Sequence, residues 1–214
     1  AKETPRLISR LRAGESIALI SDAGTPLISD PGSRLVAAAL AADVRVVPIP
    51  GPSAVMAALV ASGLPLDRFV FFGFLPRKGR ERANMVAEII NSKATVVLFE
   101  AANRVAATLQ ALVEAGVGER DAVVARELTK QFEEFKRGSV GDLAELYRGA
   151  DPKGEVVLMI AGADERALSD NELEVAAKKL RAAGKSPRDV MDHLVAALGA
   201  PRNAAYRIAH EREN

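Results

Sequence analysis

The sequence SDAGTPLISDPG, residues 21–32, has the composition of a ligand-binding turn between a strand and a helix. The preceding residues 17–21 are apolar enough for a short buried strand. Gly24 lets the backbone approach a ligand closely, and Asp22 places a carboxylate at the predicted strand end. Ligands of open α/β sheets bind at the carboxyl ends of strands. A polar loop in which Asp30 caps the next helix explains the same residues equally well.

A second turn rich in Gly and Pro, PIPGPSAVMAAL at 48–59, follows a predicted strand at 44–49. Ser53 and the nearby glycine would present backbone N–H groups at a helix start, which suits the polar groups of a nucleotide-like ligand. Small residues such as Ala54 allow a flat ring to lie close to the helix. Tight packing of the helix on a sheet also favours alanine, and taken alone it is the commoner reason for this composition.

The two predicted helices, 31–42 and 52–62, share one kind of start. Asp30 precedes Pro31 and Gly51 precedes Pro52, so each pair supplies an N-cap and a first helical residue that needs no N–H. Strand, turn, helix and strand in this order is typical of the βαβ unit of a parallel sheet.

The rest of the chain predicts a second α/β domain and a helical tail, joined to the first part by the linker-like stretch GLPLDR at 63–68. Predicted strands cover 69–74, 95–99, 122–126, 133–138 and 154–160, with the fourth at a sheet edge, and predicted helices cover 80–91, 103–114 and 140–148. Three short helices follow, the first two capped by Ser169 and Ser186 and the third opened by Pro201, as in a helix-turn-helix domain. The predicted domains are therefore 1–65, the remainder of a first α/β domain, 66–164, a second α/β domain, and 165–214, a trihelical domain.

The composition of the chain excludes several kinds of functional site. The 214 residues carry a net charge of +1, two histidines and no cysteine. Disulfides, thiolate metal sites and cysteine nucleophiles are therefore excluded, and we expect no metal. No apolar run reaches the roughly 18 residues of a transmembrane span, and the charged N-terminal residues are unlike a signal peptide. We expect a cytoplasmic protein.

The densest basic stretch is PRKGRER, residues 76–82, which contains Arg77, Lys78, Arg80 and Arg82. These cations lie at the start of a predicted helix, where they oppose the helix dipole, so helix stability does not explain them. Binding to phosphate groups does, although a solvated loop is the alternative. The predicted third tail helix, near 202–207, lies where a recognition helix would, and a packing appendage explains it as well.

Seven motifs occur in one order along the chain: SDAGTPLISDPG, PGPSAV, ASGLP, GFLPRK, VVLFE followed by Arg104, ARELTK, and KGEVVLMIAG. In this order they resemble the ribosomal RNA small-subunit methyltransferase I family, which lies within the tetrapyrrole (corrin/porphyrin) methylases. The resemblance covers residues 14–162. Members begin with a strand and a GTPIGN-type loop that these residues lack, so we expect the first domain to be truncated.

The resemblance implies two α/β domains of the tetrapyrrole methylase fold with S-adenosylmethionine between them. It implies transfer of the methyl group to the 2′-hydroxyl of a cytidine in 16S ribosomal RNA, by a homodimer. The implied cofactor contacts are Asp22, Gly24, Thr25, Pro26, Ser53, Ala54, Phe99, Glu100, Leu128 and Ala161.

A 2′-hydroxyl is a weak acid, so a general base or a cation that favours the alkoxide would assist the reaction. Glu100, Glu127 and Lys130 are the candidates in this chain. A local ion network that includes Arg126 is the alternative for Glu127 and Lys130, and for Glu127 it is slightly favoured.

Two other functions fit parts of the sequence. A methylase acting on a porphyrin-like ring shares the fold, but the helical tail, ARELTK and PRKGRER argue against it. A nucleic-acid-binding regulator that uses the helix-turn-helix, with the α/β part as a ligand sensor, predicts duplex binding that survives removal of residues 1–164.

Overall fold

The computed structural model describes residues 3–150, 152–163, 170–182, 184–196, 200 and 202–210. The chain divides into two compact units, 1–162 and 163–214. The first unit contains both predicted α/β segments, and the second contains the predicted helical tail. None of the helices within the described ranges is long and apolar enough to cross a membrane.

The first unit is built on a five-stranded sheet with the strand order β1-β2-β5-β3-β4. The strands are β1 (Phe69–Phe74), β2 (Thr95–Ala101), β3 (Asp121–Arg126), β4 (Glu134–Ser139) and β5 (Glu155–Ile160). Strands β1 and β2 are parallel, whereas β5 is antiparallel to both of its neighbours and β3 is antiparallel to β4. These five predicted strands are confirmed, and β4 lies at an edge as predicted.

The predicted strands 17–21 and 44–49 are wrong. Neither stretch has regular secondary structure or a strand partner among the described residues. A strand requires a neighbour that accepts and donates its backbone hydrogen bonds, and an apolar sequence alone does not supply one. Ile20 and Ile49 are accordingly 86% and 82% exposed. The parallel βαβ sheet predicted from this part of the chain is therefore absent from the described residues.

Helices precede the sheet: α1 (Thr4–Arg12), α2 (Ser33–Leu40) and α3 (Ala54–Ser62). The last two begin two residues later than predicted. Leu27 and Ser29 adopt positive φ, which lengthens the turn, so Gly32 rather than Asp30 is the N-cap of α2. The N-cap of α3 is Ser53 rather than Gly51, because a hydroxyl oxygen can accept a helix N–H, here that of Met56 at 3.4 Å.

Helices cover the two faces of the sheet unequally. The three-helix face packs against α4 (Gly79–Asn91), α5 (Val105–Leu112) and α6 (Val140–Tyr147). Its core includes Leu98, Leu109 and Leu158, all fully buried. On the other face, here called the α3 face, the cluster of buried residues is Val55, Ala58, Leu59, Val97, Val123, Ala125, Val157 and Met159.

The second unit consists of α7 (Asp170–Ala182), α8 (Pro187–Ala196) and α9 (Arg202–His210), packed around residues such as Leu173, Leu194 and Ile208. The predicted cap at Ser186 is confirmed: its hydroxyl accepts the N–H of Asp189, whose carboxylate accepts the N–H of Ser186, each at 3.2 Å. The predicted cap at Ser169 and the predicted helix start at Pro201 lie outside the described residues.

Candidate functional site

The two turns singled out in the sequence lie in contact. The Thr25 hydroxyl donates a hydrogen bond to the carbonyl oxygen of Pro52 at 2.9 Å. The Ser21 hydroxyl lies 3.2 Å from the carbonyl oxygen of Ala23 and 3.3 Å from that of Gly24, which shapes the first turn. Gly24 has φ +66°, and a Cβ there would meet no atom within 4 Å, so the turn needs this glycine for its backbone conformation rather than for space. Asp22 beside it is exposed, and Pro26 is half-buried.

Three predicted cofactor residues from three separate elements pack against one cluster. Ala54 at the start of α3, Phe99 in β2 and Leu128 after β3 are all half-buried against the α3-face cluster. Ala54 follows Ser53 directly, so the turn that contacts Thr25 leads into this surface. The structure therefore brings together an apolar surface and the two predicted binding turns.

An aromatic group extends this surface at the carboxyl end of the parallel strands. The Phe99 ring meets Phe71 edge-on, with ring centroids 4.8 Å apart, and Phe74 at 5.6 Å. Phe74 is 52% exposed, so one face of the group is open to a ligand. Phe71 and Phe74 were not predicted from the sequence. Both lie in β1, which pairs with β2, the strand that carries the predicted cofactor residue Phe99.

The loop that carries Leu128 is strained. Its neighbours Glu127 and Thr129 have φ of +53° and +65°, which is costly for residues with a side chain. Polar contacts hold the conformation: Lys130 Nζ lies 2.9 Å from Glu127 Oε1 and 2.8 Å from Glu155 Oε2, and the Glu155 N–H donates to Glu127 Oε1 at 3.1 Å. Ion pairing thus presents Leu128 to the α3-face cluster.

The same contacts bear on the proposed proton chemistry. Hydrogen bonds from Lys130 and from the Glu155 backbone lower the pKa of Glu127. Hydrogen bonds to Glu155 and Glu127 raise the pKa of Lys130. Both groups are therefore charged at neutral pH and paired with each other. This arrangement fits a local ion network better than a general base that accepts a proton from the substrate.

Glu100 lies on the other side of the sheet from Phe99. Successive side chains of a strand point to opposite faces, and Glu100 is buried, with 2% exposure. Its carboxylate accepts hydrogen bonds from the Thr108 hydroxyl at 2.7 Å and the Ala101 N–H at 2.9 Å, and Arg104 Nε lies 3.3 Å away. This placement separates Glu100 from the α3-face residues with which it was grouped.

Ala161 lies at the far end of the sheet. Because β5 is antiparallel to β2, Ile160 pairs with Val96, whereas Glu155 pairs with Ala101 near Phe99. The five residue steps from Glu155 to Ile160 span about 17 Å. The Ala161 N–H donates to the carbonyl oxygen of Asp121 at 2.8 Å, at the start of β3. The structure therefore does not bring Ala161 together with Phe99 and Leu128.

The basic stretch follows β1 directly, at the same sheet edge as Phe74. Arg77, Lys78 and Arg80 are exposed and make no ion pair or hydrogen bond within the described ranges. Arg82 differs: it is half-buried and donates from Nη1 to the carbonyl oxygen of Pro76 at 3.1 Å. Three of the four predicted RNA contacts thus present available cations, and the fourth braces the loop.

No group of three His, Asp or Glu side chains suited to a metal ion occurs in the part of the chain that the structure describes.

Comparison with known proteins defines the class. Residues 1–144 match the family model of the tetrapyrrole (corrin/porphyrin) methylases. The fold is shared with a diphthine synthase, at a TM-score of 0.58 and 20% identity over 75% of this chain and 65% of that one. It is shared also with a uroporphyrin-III C-methyl transferase from Thermus thermophilus complexed with S-adenyl homocysteine, at a TM-score of 0.52 and 17% identity over 75% and 72%. The chain belongs to the tetrapyrrole methylase family.

Curated relatives identify the group within this family to which the chain belongs. A protein of Mesorhizobium japonicum is 47% identical over 95% of this chain and 69% of its own length, and one of Synechocystis sp. is 42% identical over 98% and 76%. Both are named ribosomal RNA small subunit methyltransferase I. Within its family, this chain is a member of the ribosomal RNA small subunit methyltransferase I group, as the order of its motifs predicted.

Proposed function

We propose that this methyltransferase transfers a methyl group from S-adenosylmethionine to the 2′-hydroxyl of a cytidine in 16S ribosomal RNA. The observation that carries the proposal is that Ala54, Phe99 and Leu128 pack against the same cluster on the α3 face, and that Ala54 directly follows the turn joined to Thr25. The names of the relatives support the substrate, and the S-adenyl homocysteine in the Thermus structure supports the cofactor.

The residues present fit this cofactor. Ala54, Phe99 and Leu128 offer a half-buried apolar surface for an adenine ring. The exposed carboxylate of Asp22 suits ribose hydroxyls, and the turn at Gly24 offers backbone groups. When bound, the cofactor supplies a methyl group that its sulfonium already activates.

The chain's own contribution to the reaction is positioning. A methyl transfer requires the attacking oxygen, the carbon and the leaving sulfur to be in line, and holding reactants in that geometry supplies much of the rate gain. The strained loop around Leu128, fixed by Glu127 and Lys130, is suited to hold one side of the cofactor rigidly. In this proposal Glu127 and Lys130 act as the frame of that loop.

The RNA approaches the edge of the sheet at which β1 ends. Arg77, Lys78 and Arg80 offer cations for phosphate groups there, and Phe74 offers an exposed ring for a base. The proposal includes a homodimer in the cytoplasm, where small ribosomal subunits are found.

The test uses tritiated S-adenosylmethionine with 30S subunits that lack the modification, and with uroporphyrinogen as the alternative acceptor. We expect label in 16S RNA only, recovered as 2′-O-methylcytidine after nuclease digestion and mass spectrometry. Label in uroporphyrinogen but not in RNA would contradict the proposed substrate. Duplex binding by residues 163–214 alone, without methyl transfer by the whole chain, would support a regulator instead.

The cofactor surface has its own test. Leu128→Ala should weaken S-adenosylmethionine binding, measured by calorimetry, whereas Leu146→Ala should not, because Leu146 is 55% exposed on α6 and outside the proposed site. Equal affinities of the Leu128 variant and the unaltered protein would contradict the proposed placement of the cofactor.

A further inference from the structure

Two arginines bind the two backbone carbonyls that directly precede the cations of the basic stretch. Arg104 Nη2 donates to the carbonyl oxygen of Leu75 at 2.7 Å, and Arg82 Nη1 donates to that of Pro76 at 3.1 Å. Leu75 itself is buried at 1% exposure. The chain is therefore fixed at the two positions immediately before Arg77.

Arg104 is in turn held by a buried carboxylate. Its Nε lies 3.3 Å from Glu100 Oε1, while Glu100 also accepts the Thr108 hydroxyl and the Ala101 N–H. The rigid planar guanidinium can face the carboxylate with Nε while Nη2 reaches the carbonyl of Leu75. Contacts thus run without interruption from α5, through the end of β2, to the base of the basic stretch.

The cationic side chains that follow Leu75 and Pro76 are not held in this way. Arg77 and Lys78 are exposed and make no ion pair or hydrogen bond within the described residues. A fixed backbone with free cationic side chains lowers the ordering cost of binding a phosphate backbone. We propose that Arg104, held by Glu100, is a positioning residue for RNA binding, which fixes the base of PRKGRER so that Arg77 and Lys78 meet phosphate groups. The inference rests on the proposed RNA-binding role of this stretch.

The direct test is Arg104→Lys, which keeps the charge but cannot face Glu100 and Leu75 in the same way. With 30S subunits lacking the modification, we expect KM for subunits to rise about tenfold through the loss of preorganisation. We expect kcat and the Kd for S-adenosylmethionine to stay unchanged. An unchanged KM would overturn the inference. Glu100→Gln removes the charge that holds Arg104 with little change of shape and should raise KM in the same direction, by less.

A double-mutant cycle separates positioning from a general loss of structure. Arg77→Ala with Lys78→Ala should raise KM strongly in the unaltered protein and little further in the Arg104→Lys protein, because residues that act through one another are not additive. An equal rise in both backgrounds would show that Arg104 does not act through these cations.

Arg120 provides the matched control. It donates to the carbonyl oxygens of Ile89, at 3.0 Å, and Ile90, at the opposite end of α4 from the basic stretch. Arg120→Lys should lower Tm as Arg104→Lys does, without changing KM for subunits. An equal rise in KM for the Arg120→Lys and Arg104→Lys variants would mean that Arg104 acts only through the stability of the fold. Absence of methyl transfer by the unaltered protein would contradict the proposed function itself, a result distinct from an unaffected Arg104→Lys variant.

Discussion

Phe99 and Glu100 are neighbours in β2, yet they belong to two different environments. Phe99 faces the α3 face, where predicted cofactor residues remain half-buried and Phe74 beside it is exposed. Glu100 faces the three-helix face, where every carboxylate oxygen has a partner and the surrounding leucines are fully buried. One face of this sheet therefore maintains the fold, and the other leaves apolar side chains half-buried or exposed where we propose that the cofactor binds.

Among the substitutions that test this contrast, Glu100→Ala should have the largest effect on stability. The change leaves the partly buried Arg104 without its carboxylate and Thr108 without its acceptor. Removing one partner of a buried pair costs about 3–5 kcal/mol, which urea denaturation would measure. Glu145→Ala, which removes an exposed pair with Arg148, should cost less than about 1 kcal/mol. Similar losses in the two variants would contradict the assignment of Glu100 to the core.

Substitution of one leucine on each side of the sheet compares the two faces directly, with Leu109 on the three-helix face and Leu128 on the α3 face. Leu109→Ala empties a fully buried site on the three-helix face and should cost about 2–5 kcal/mol without altering the affinity of the folded protein for S-adenosylmethionine. Leu128→Ala should cost about 1 kcal/mol, because the site is half-buried. Its Kd for the cofactor should rise about tenfold, an effect of roughly 1.4 kcal/mol. If the two variants lose affinity to the same extent, the faces do not divide stability from binding.

The smallest effect concerns the ion pairs that frame Leu128. Because Lys130 holds the pKa of Glu127 below its ordinary value, the Glu127 carboxylate stabilises the fold at pH values above about 4.3, the usual glutamate pKa. That contribution is lost as pH falls through the lowered pKa of the folded protein. Glu127→Gln should therefore flatten the decline in the urea midpoint between neutral pH and about pH 3.

Gly154 offers a second approach to the same loop. A Cβ at Gly154 would overlap the Glu127 carboxylate, so Gly154→Ala must displace that carboxylate and should flatten the same pH dependence. If both variants decline as steeply as the unaltered protein, Glu127 does not contribute through its ionisation.

Much of the first unit could be predicted from the sequence because its strands alternate with helices and have clear turn residues. The direction of β5 could not, since an apolar run such as EVVLMI reads the same in either direction. That one unknown is why the sequence did not show that Ala161 lies at the opposite end of the sheet from Phe99. The alternation of side chains along a strand does predict that Phe99 and Glu100 face opposite sides of the sheet.

The strands predicted at 17–21 and 44–49 show a different limit. Apolar residues indicate that a segment tends to be covered, but pairing depends on a neighbour that local sequence does not identify. Ile20 and Ile49 are exposed for this reason. The strain at Glu127 and Thr129 was also unpredictable, because ARELTK contains no glycine or asparagine to signal a positive φ.

The central position of β5 has a consequence for the synthesis of the protein. The strand that joins β2 to β3 is the last of the five to be made, so in a nascent chain that has completed β4 the edges of β2 and β3 that β5 will cover are still unpaired. The 21 residues that follow Ser139, up to Ile160, take about 1–4 s at a translation rate of roughly 5–20 residues per second. During that interval the unpaired edges offer templates for aggregation. We expect the demand for chaperones during the production of this enzyme to be concentrated in those seconds.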